Sequence, residues 1–129
     1  MLTKKAQGVI EFIILFGVAL LFFVVIIATI QESQSQKNKE KERLIAQNVA
    51  LDIQDEINLA AESSDGYERN FTTPENIIGL DYTINVSQGY IFLTLGDYVV
   101  DYNVVQVVGQ IQKGNNLIKK ENGTVYLNP

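Results

Sequence analysis

The chain has 129 residues, 47 % of them apolar, a net charge of −5, and neither cysteine nor histidine. That composition excludes disulfides, acylation at cysteine, thiolate or imidazole metal sites and histidine-based triads. The acidic balance, with its few cations interleaved with carboxylates, leaves no phosphate-binding surface, so no nucleic-acid partner is expected. An enzyme would have to run on Asp, Glu, Lys, Tyr or Ser alone; no catalytic residues, metal or cofactor are expected.

The first element is an apolar run. From Gly8 to Ile30 the only charge is Glu11 and the only other polar side chain is Thr29. A run of that length spans roughly 35 Å as a helix, enough to cross a hydrocarbon core of about 30 Å. It is longer than a secretory h-region, and Ile27-Ala28-Thr29-Ile30-Gln31-Glu32 lacks a small-x-small cleavage pattern. The run therefore stays attached after export. Lys4 and Lys5 precede it, so the positive-inside rule places the N-terminus in the cytoplasm and the rest outside. Glu11 stands out, because a carboxylate at the centre of a span costs about 2.5–3.5 kcal/mol, less near an end.

The residues around Glu11 point further. Lys4-Lys5-Ala6-Gln7-Gly8-Val9-Ile10-Glu11-Phe12-Ile13-Ile14-Leu15 resembles the class III leader of archaeal type IV pilins, in which basic residues precede a small residue, then Gln, with Glu four positions on. The resemblance covers residues 4–30 and departs at Val9, where the family usually has Ser. It implies cleavage between Ala6 and Gln7 by a prepilin-type peptidase. It also implies that Gln7 and Glu11 act in subunit assembly, Glu11 neutralising the new α-amine of a neighbouring pilin subunit. Pairing an ammonium with a carboxylate in low dielectric offsets part of their desolvation. Archaellin-type leaders fit less well, since they usually carry Gly-rich sequence after the cut.

Beyond the apolar run, no Gly or Pro occurs between Gly17 and Gly66, and Gln31 to Glu62 is rich in helix-forming residues. The spacing predicts one helix to about Ser63-Ser64-Asp65-Gly66, with a kink or fray at Gln31 to Lys39, which has no apolar residue. Ile45, Val49, Ile53 and Ile57 recur every four residues, with Leu44 and Leu51 beside them. This is one apolar stripe facing a core. A coiled coil fits it less well, because no heptad is sustained.

After Gly66 the chain turns β-branched and aromatic. Strands are expected at Tyr67 to Thr72, around Tyr82, Ile84 and Val86, and around Ile91, Leu93 and Leu95. Tyr98 to Val108 reads as one bent strand or two short ones. Turns are expected at Ser87-Gln88-Gly89, Gly96-Asp97 and Lys113-Gly114-Asn115-Asn116. The strongest hairpin signal is Asn122-Gly123, between Leu117–Glu121 and Thr124–Asn128. A meander of about five or six antiparallel strands follows, packed on the stripe of the helix. Asn70, Asn85 and Asn122 begin Asn-x-Ser/Thr sequons and are candidate N-glycosylation sites. Asp97 and Asp101 could share one side of a strand, but a head this small does not enclose the cleft a carboxylate pair needs.

The expected fold class is α+β: a long N-terminal transmembrane helix, then a small antiparallel β head packed on its C-terminal half. The divisions are a leader at 1–6, a span or filament-core helix at 7–30, its amphipathic continuation at 31–65, and a β-rich head at 66–129. The expected role is a structural one, as a major or minor pilin of an archaeal type IV pilus-like filament, held in the cell membrane before assembly. The alternative is a single-span membrane protein that never polymerises and whose head is a binding module.

Overall fold

A computed structural model describes residues 3–129 and shows one helix followed by seven strands. The chain divides into two units, Met1–Glu40 and Lys41–Pro129.

In the first unit, Thr3 caps the helix: its Oγ1 accepts from the amide of Ala6 at 3.4 Å. Helix α1 runs from Lys4 to Glu62, and every residue is helical through the Gln31 to Lys39 stretch, where a kink or fray was expected. Strong helix formers and the absence of Gly and Pro account for that. Every residue from Gly8 to Ile30 is exposed, and the run is long and apolar enough to cross a membrane. Thr29 does not break it, because its hydroxyl donates to the carbonyls of Ile26 (2.8 Å) and Val25 (3.1 Å) within the same helix.

In the second unit, the remainder of α1 buries Ala46, Val49, Ala50, Ile53, Ile57 and Ala60. Alanines and branched residues alike join the strand residues in one buried cluster. Leu44 and Leu51, expected beside this stripe, are exposed instead; the 3.6-residue period carries them round to the other side. The helix ends where Lys120 reaches it. Its Nζ donates to the carbonyls of Ala61 and Ser63, the latter at 2.8 Å, a cation placed at the negative end of the helix.

The strands form two sheets rather than one meander. One has the order β1-β6-β7-β5, built from Glu68–Thr73, Gly114–Glu121, Thr124–Leu127 and Val107–Gly109. The other is the antiparallel set β2-β3-β4, from Thr83–Ser87, Tyr90–Leu95 and Tyr98–Asn103. The first sheet is mixed, because β5 pairs with β7 in parallel. Tyr98 to Val108 thus makes two short strands that belong to different sheets. Gly109 is required at that parallel pairing: it has φ +107°, and a Cβ there would run into the carbonyl of Leu127.

The hairpins follow their turn chemistry. Asn122 and Gly123 both have positive φ, as do Gln88 and Gly89, the pattern of a type I′ turn. At Gly96-Asp97 only the glycine does, the pattern of a type II′ turn. Alternating residues of β3, Ile91, Leu93 and Leu95, are buried together with Val86, Val100, Ile118, Val125 and Leu127. With the helix residues they form one cluster, each full burial contributing roughly 1.5–3 kcal/mol.

The Lys113 to Asn116 stretch differs from the expected turn. Strand β6 already begins at Gly114, and Asn116 is only 2 % exposed. The carboxamide donates to the carbonyls of Gln112 (2.7 Å) and Gly114 (3.0 Å), and accepts from the Gln112 amide (2.9 Å) and Asn128 (2.8 Å). A polar side chain this buried is kept because all its hydrogen-bonding capacity is used.

Candidate assembly site

The residues singled out at the N-terminus sit in the first turns of α1. Gln7 and Glu11 are one turn apart and therefore share a face, and Gln7 Nε2 donates to Glu11 Oε1 at 3.3 Å. Both are exposed, and Glu11 has no ion-pair partner among the described residues. Its carboxylate is the one charge on the apolar surface that runs to Ile30. The bond between Ala6 and Gln7 lies inside the helix, with the amide of Gln7 donating to the Thr3 carbonyl at 3.0 Å. A protease that takes this bond must first unwind a single turn at a helix end, where fraying costs little. Met1 and Leu2, the start of the expected leader, lie outside the described residues.

The three sequon asparagines are separated in the fold. Asn70 lies on edge strand β1, Asn85 on edge strand β2, and Asn122 in the β6–β7 turn; all three are exposed. The Thr72 hydroxyl of the first sequon donates to Asn115 Oδ1 at 3.0 Å. Asp97 sits in a turn and Asp101 on β4, both exposed. Among the described residues there is no cluster of acidic side chains placed to hold a metal.

A second feature was not read from the sequence. Between α1 and β1 runs an open groove of about 480 Å³, lined by Asp52, Asp55, Glu56, Arg69, Asn70 and Phe71 among others. Arg69 pairs with Glu56 at 3.4 Å, while the other Glu56 carboxylate oxygen is buried without a hydrogen-bond partner. The available signal was the charge distribution: Asp52, Asp55, Glu56, Glu62, Asp65 and Glu68 follow one another with no cation between Arg43 and Arg69.

At the edge of the head, Lys113 forms an ion pair with Asp81 and lies 4.8 Å from the centre of the Tyr82 ring. The lysine's hydrogen bond and charge hold the Asp81 carboxyl below its ordinary pKa. Burial pushes the Tyr82 phenol up, and its hydroxyl donates to the Pro74 carbonyl.

No protein-family model matches the chain, nor does any curated protein or solved structure.

Proposed function

We propose that the protein is a structural subunit, a major or minor pilin, of an archaeal type IV pilus-like surface filament. A prepilin-type peptidase cuts between Ala6 and Gln7, the helix rests in the cell membrane with its N-terminus on the cytoplasmic side, and assembly then packs it against other pilin subunits.

Glu11 is the observation that carries this reading. It stands exposed on an apolar helix and, among the described residues, has only the Gln7 carboxamide, 3.3 Å away, as its partner. A carboxylate retained there is costly unless something neutralises it. Cleavage before Gln7 creates an ammonium at the same end of the helix, and the Glu11 of a neighbouring subunit can pair with it as both leave the membrane. The apolar residues then exchange lipid for one another, so that the span becomes the filament core while the β unit faces outward with its sequons at Asn70, Asn85 and Asn122.

The test is Glu11→Leu. The variant inserts into membranes as the parent does and yields no filaments by electron microscopy; normal filaments would remove Glu11 from this role.

The groove beside β1 favours a second reading, in which the chain remains a single-span membrane protein and the head binds a cationic peptide. Asp52→Asn with Asp55→Asn would then abolish capture of a lysine-rich peptide while leaving the β unit folded. Unchanged capture by the double variant, or none by the parent, would count against it.

A further inference from the structure

The sheet β2-β3-β4 has one side in the core and one in solvent. Along β3, Ile91, Leu93 and Leu95 are buried, while Tyr90 and Phe92 on the other side are 41 % and 39 % exposed. Their ring centres lie 6.1 Å apart on the middle strand of the three. Single exposed apolar residues are ordinary. Two neighbouring rings in the middle of a polar face are the kind of surface that another group covers. The surrounding residues say what chemistry fits. Asn85 and Ser87 of β2 flank the rings on one side, Asp101 and Asn103 of β4 on the other, and Asp101 carries the only charge on this side of the three strands. Aromatic rings with a nearly neutral hydrogen-bonding rim match a sugar, whose ring face is rich in C–H groups and whose edge carries hydroxyls. The electron-rich face of an aromatic ring attracts such polarised C–H groups.

Strand register identifies the source of that sugar. Asn85 is paired directly with Phe92 across the β2–β3 hairpin, and Ser87 with Tyr90. Residues opposite each other in an antiparallel pair have Cβ atoms about 4.5–5.5 Å apart. Asn85-Val86-Ser87 is a sequon. Of the three sequon asparagines, Asn85 alone is paired with an aromatic residue: Asn70 is paired with Leu117, and Asn122 sits in the β6–β7 turn. We propose that Asn85 carries an N-linked glycan whose first sugars stack on Phe92 and Tyr90, so that the chain's own sugar closes this side of the sheet. Attachment is a group transfer from a lipid-carried sugar phosphate. The bond from the sugar's anomeric carbon to the phosphate oxygen breaks, and the lipid phosphate leaves with the electron pair. A bond from Asn85 Nδ2 to that carbon forms, and the amide gives up one proton to the transferase. The proposal needs the β unit to be exported, which both readings of function share, and does not depend on filament assembly.

The test uses full-length chain purified from its native membranes. Peptides covering Asn70, Asn85 and Asn122 are read by mass spectrometry, with fragmentation that keeps the sugar in place, and Asn85 carries a glycan. Ser87→Ala removes the sequon and leaves the asparagine. That variant loses the glycan and unfolds, in detergent and followed through tyrosine signals, with a midpoint lower by about 4–8 °C, the shift for roughly one aromatic contact in a unit of this size. The coupling to Phe92 is the specific readout. In a Phe92→Leu chain, which keeps apolar bulk without the ring, Ser87→Ala loses most of that effect. In a Phe92→Tyr chain, which keeps the ring, the effect remains.

A bare Asn85 would overturn the proposal, whether or not Asn70 or Asn122 carries sugar. A glycan on Asn85 whose loss shifts the midpoint equally in the parent and Phe92→Leu chains, or in neither, would also overturn it, and would leave the two rings open to a second copy or to a sugar from elsewhere. Neither outcome touches the filament reading, which is decided separately by whether the chain in the same preparation begins at Gln7.

Discussion

Helix α1 is one element with two kinds of apolar surface. From Val9 to Ile30 large aliphatic and aromatic side chains cover every side, and none is buried. From Ala46 to Ala60 the apolar residues are confined to one side, mix alanine with isoleucine, and are buried against strands of the same unit. The first pattern meets no partner among the described residues of its unit, the kind of exposed apolar surface that marks a site for lipid or another protein. The second is satisfied internally. The same backbone thus serves as a surface awaiting an environment and as the wall of a finished core.

Paired substitutions break this comparison most sharply. Ile57 is fully buried, whereas Ile14 is 61 % exposed. Ile57→Ala should destabilise the β unit by about 2–5 kcal/mol, measured by denaturant unfolding of the full chain in detergent followed through tyrosine signals. Ile14→Ala should leave that transition in place. Equal effects would mean that the two stretches are not energetically separate.

Next in size is Asn116→Ala, which removes the carboxamide that satisfies Gln112 and Gly114. Leaving buried polar groups unpaired should cost about 1–3 kcal/mol, with faster amide exchange at Gln112 as a local signature.

A smaller effect of opposite sign is expected at Ile78. It has φ +51° at an exposed turn closed by reciprocal backbone bonds between Ile77 and Leu80. A β-branched residue is strained in that conformation. Ile78→Asn gives the Asn-Gly pair such turns prefer and should stabilise the β unit by about 1 kcal/mol, seen as a raised unfolding midpoint.

The smallest effect is one of pH. Asp81 has its pKa lowered by Lys113, so its contribution is present above the unfolded carboxylate value, about pH 4. That contribution is lost as pH falls through the lower folded-state value. Lys113→Gln should move the Asp81 titration, followed by carboxyl NMR shifts, back up to the ordinary range. Because Asp81 is fully exposed, little stability is at stake.

These cases also show what the sequence made legible. Periodicity located α1, and turn chemistry located the hairpins at Gln88-Gly89, Gly96-Asp97 and Asn122-Gly123, because both are local properties. The division into two sheets and the parallel β5–β7 pair depend on long-range pairing, which no local pattern encodes. Leu44 and Leu51 were misplaced although the sequence held the answer, because the 3.6-residue period alone already puts both on the side away from Ile53 and Ile57. Asn116 looked like a turn residue because three of its four hydrogen bonds are local, to Gln112 and Gly114, while the fourth comes from Asn128 near the C-terminus. Glu11 was legible at once, because a lone charge in an apolar run stands out without any structure; its proposed partner is another copy.

The most direct measurement is the mass of the native protein's N-terminal peptide, taken from purified filaments or membranes. The filament account predicts a chain that begins at Gln7, with residues 1–6 removed. A chain that still begins at Met1 or Leu2 would contradict it.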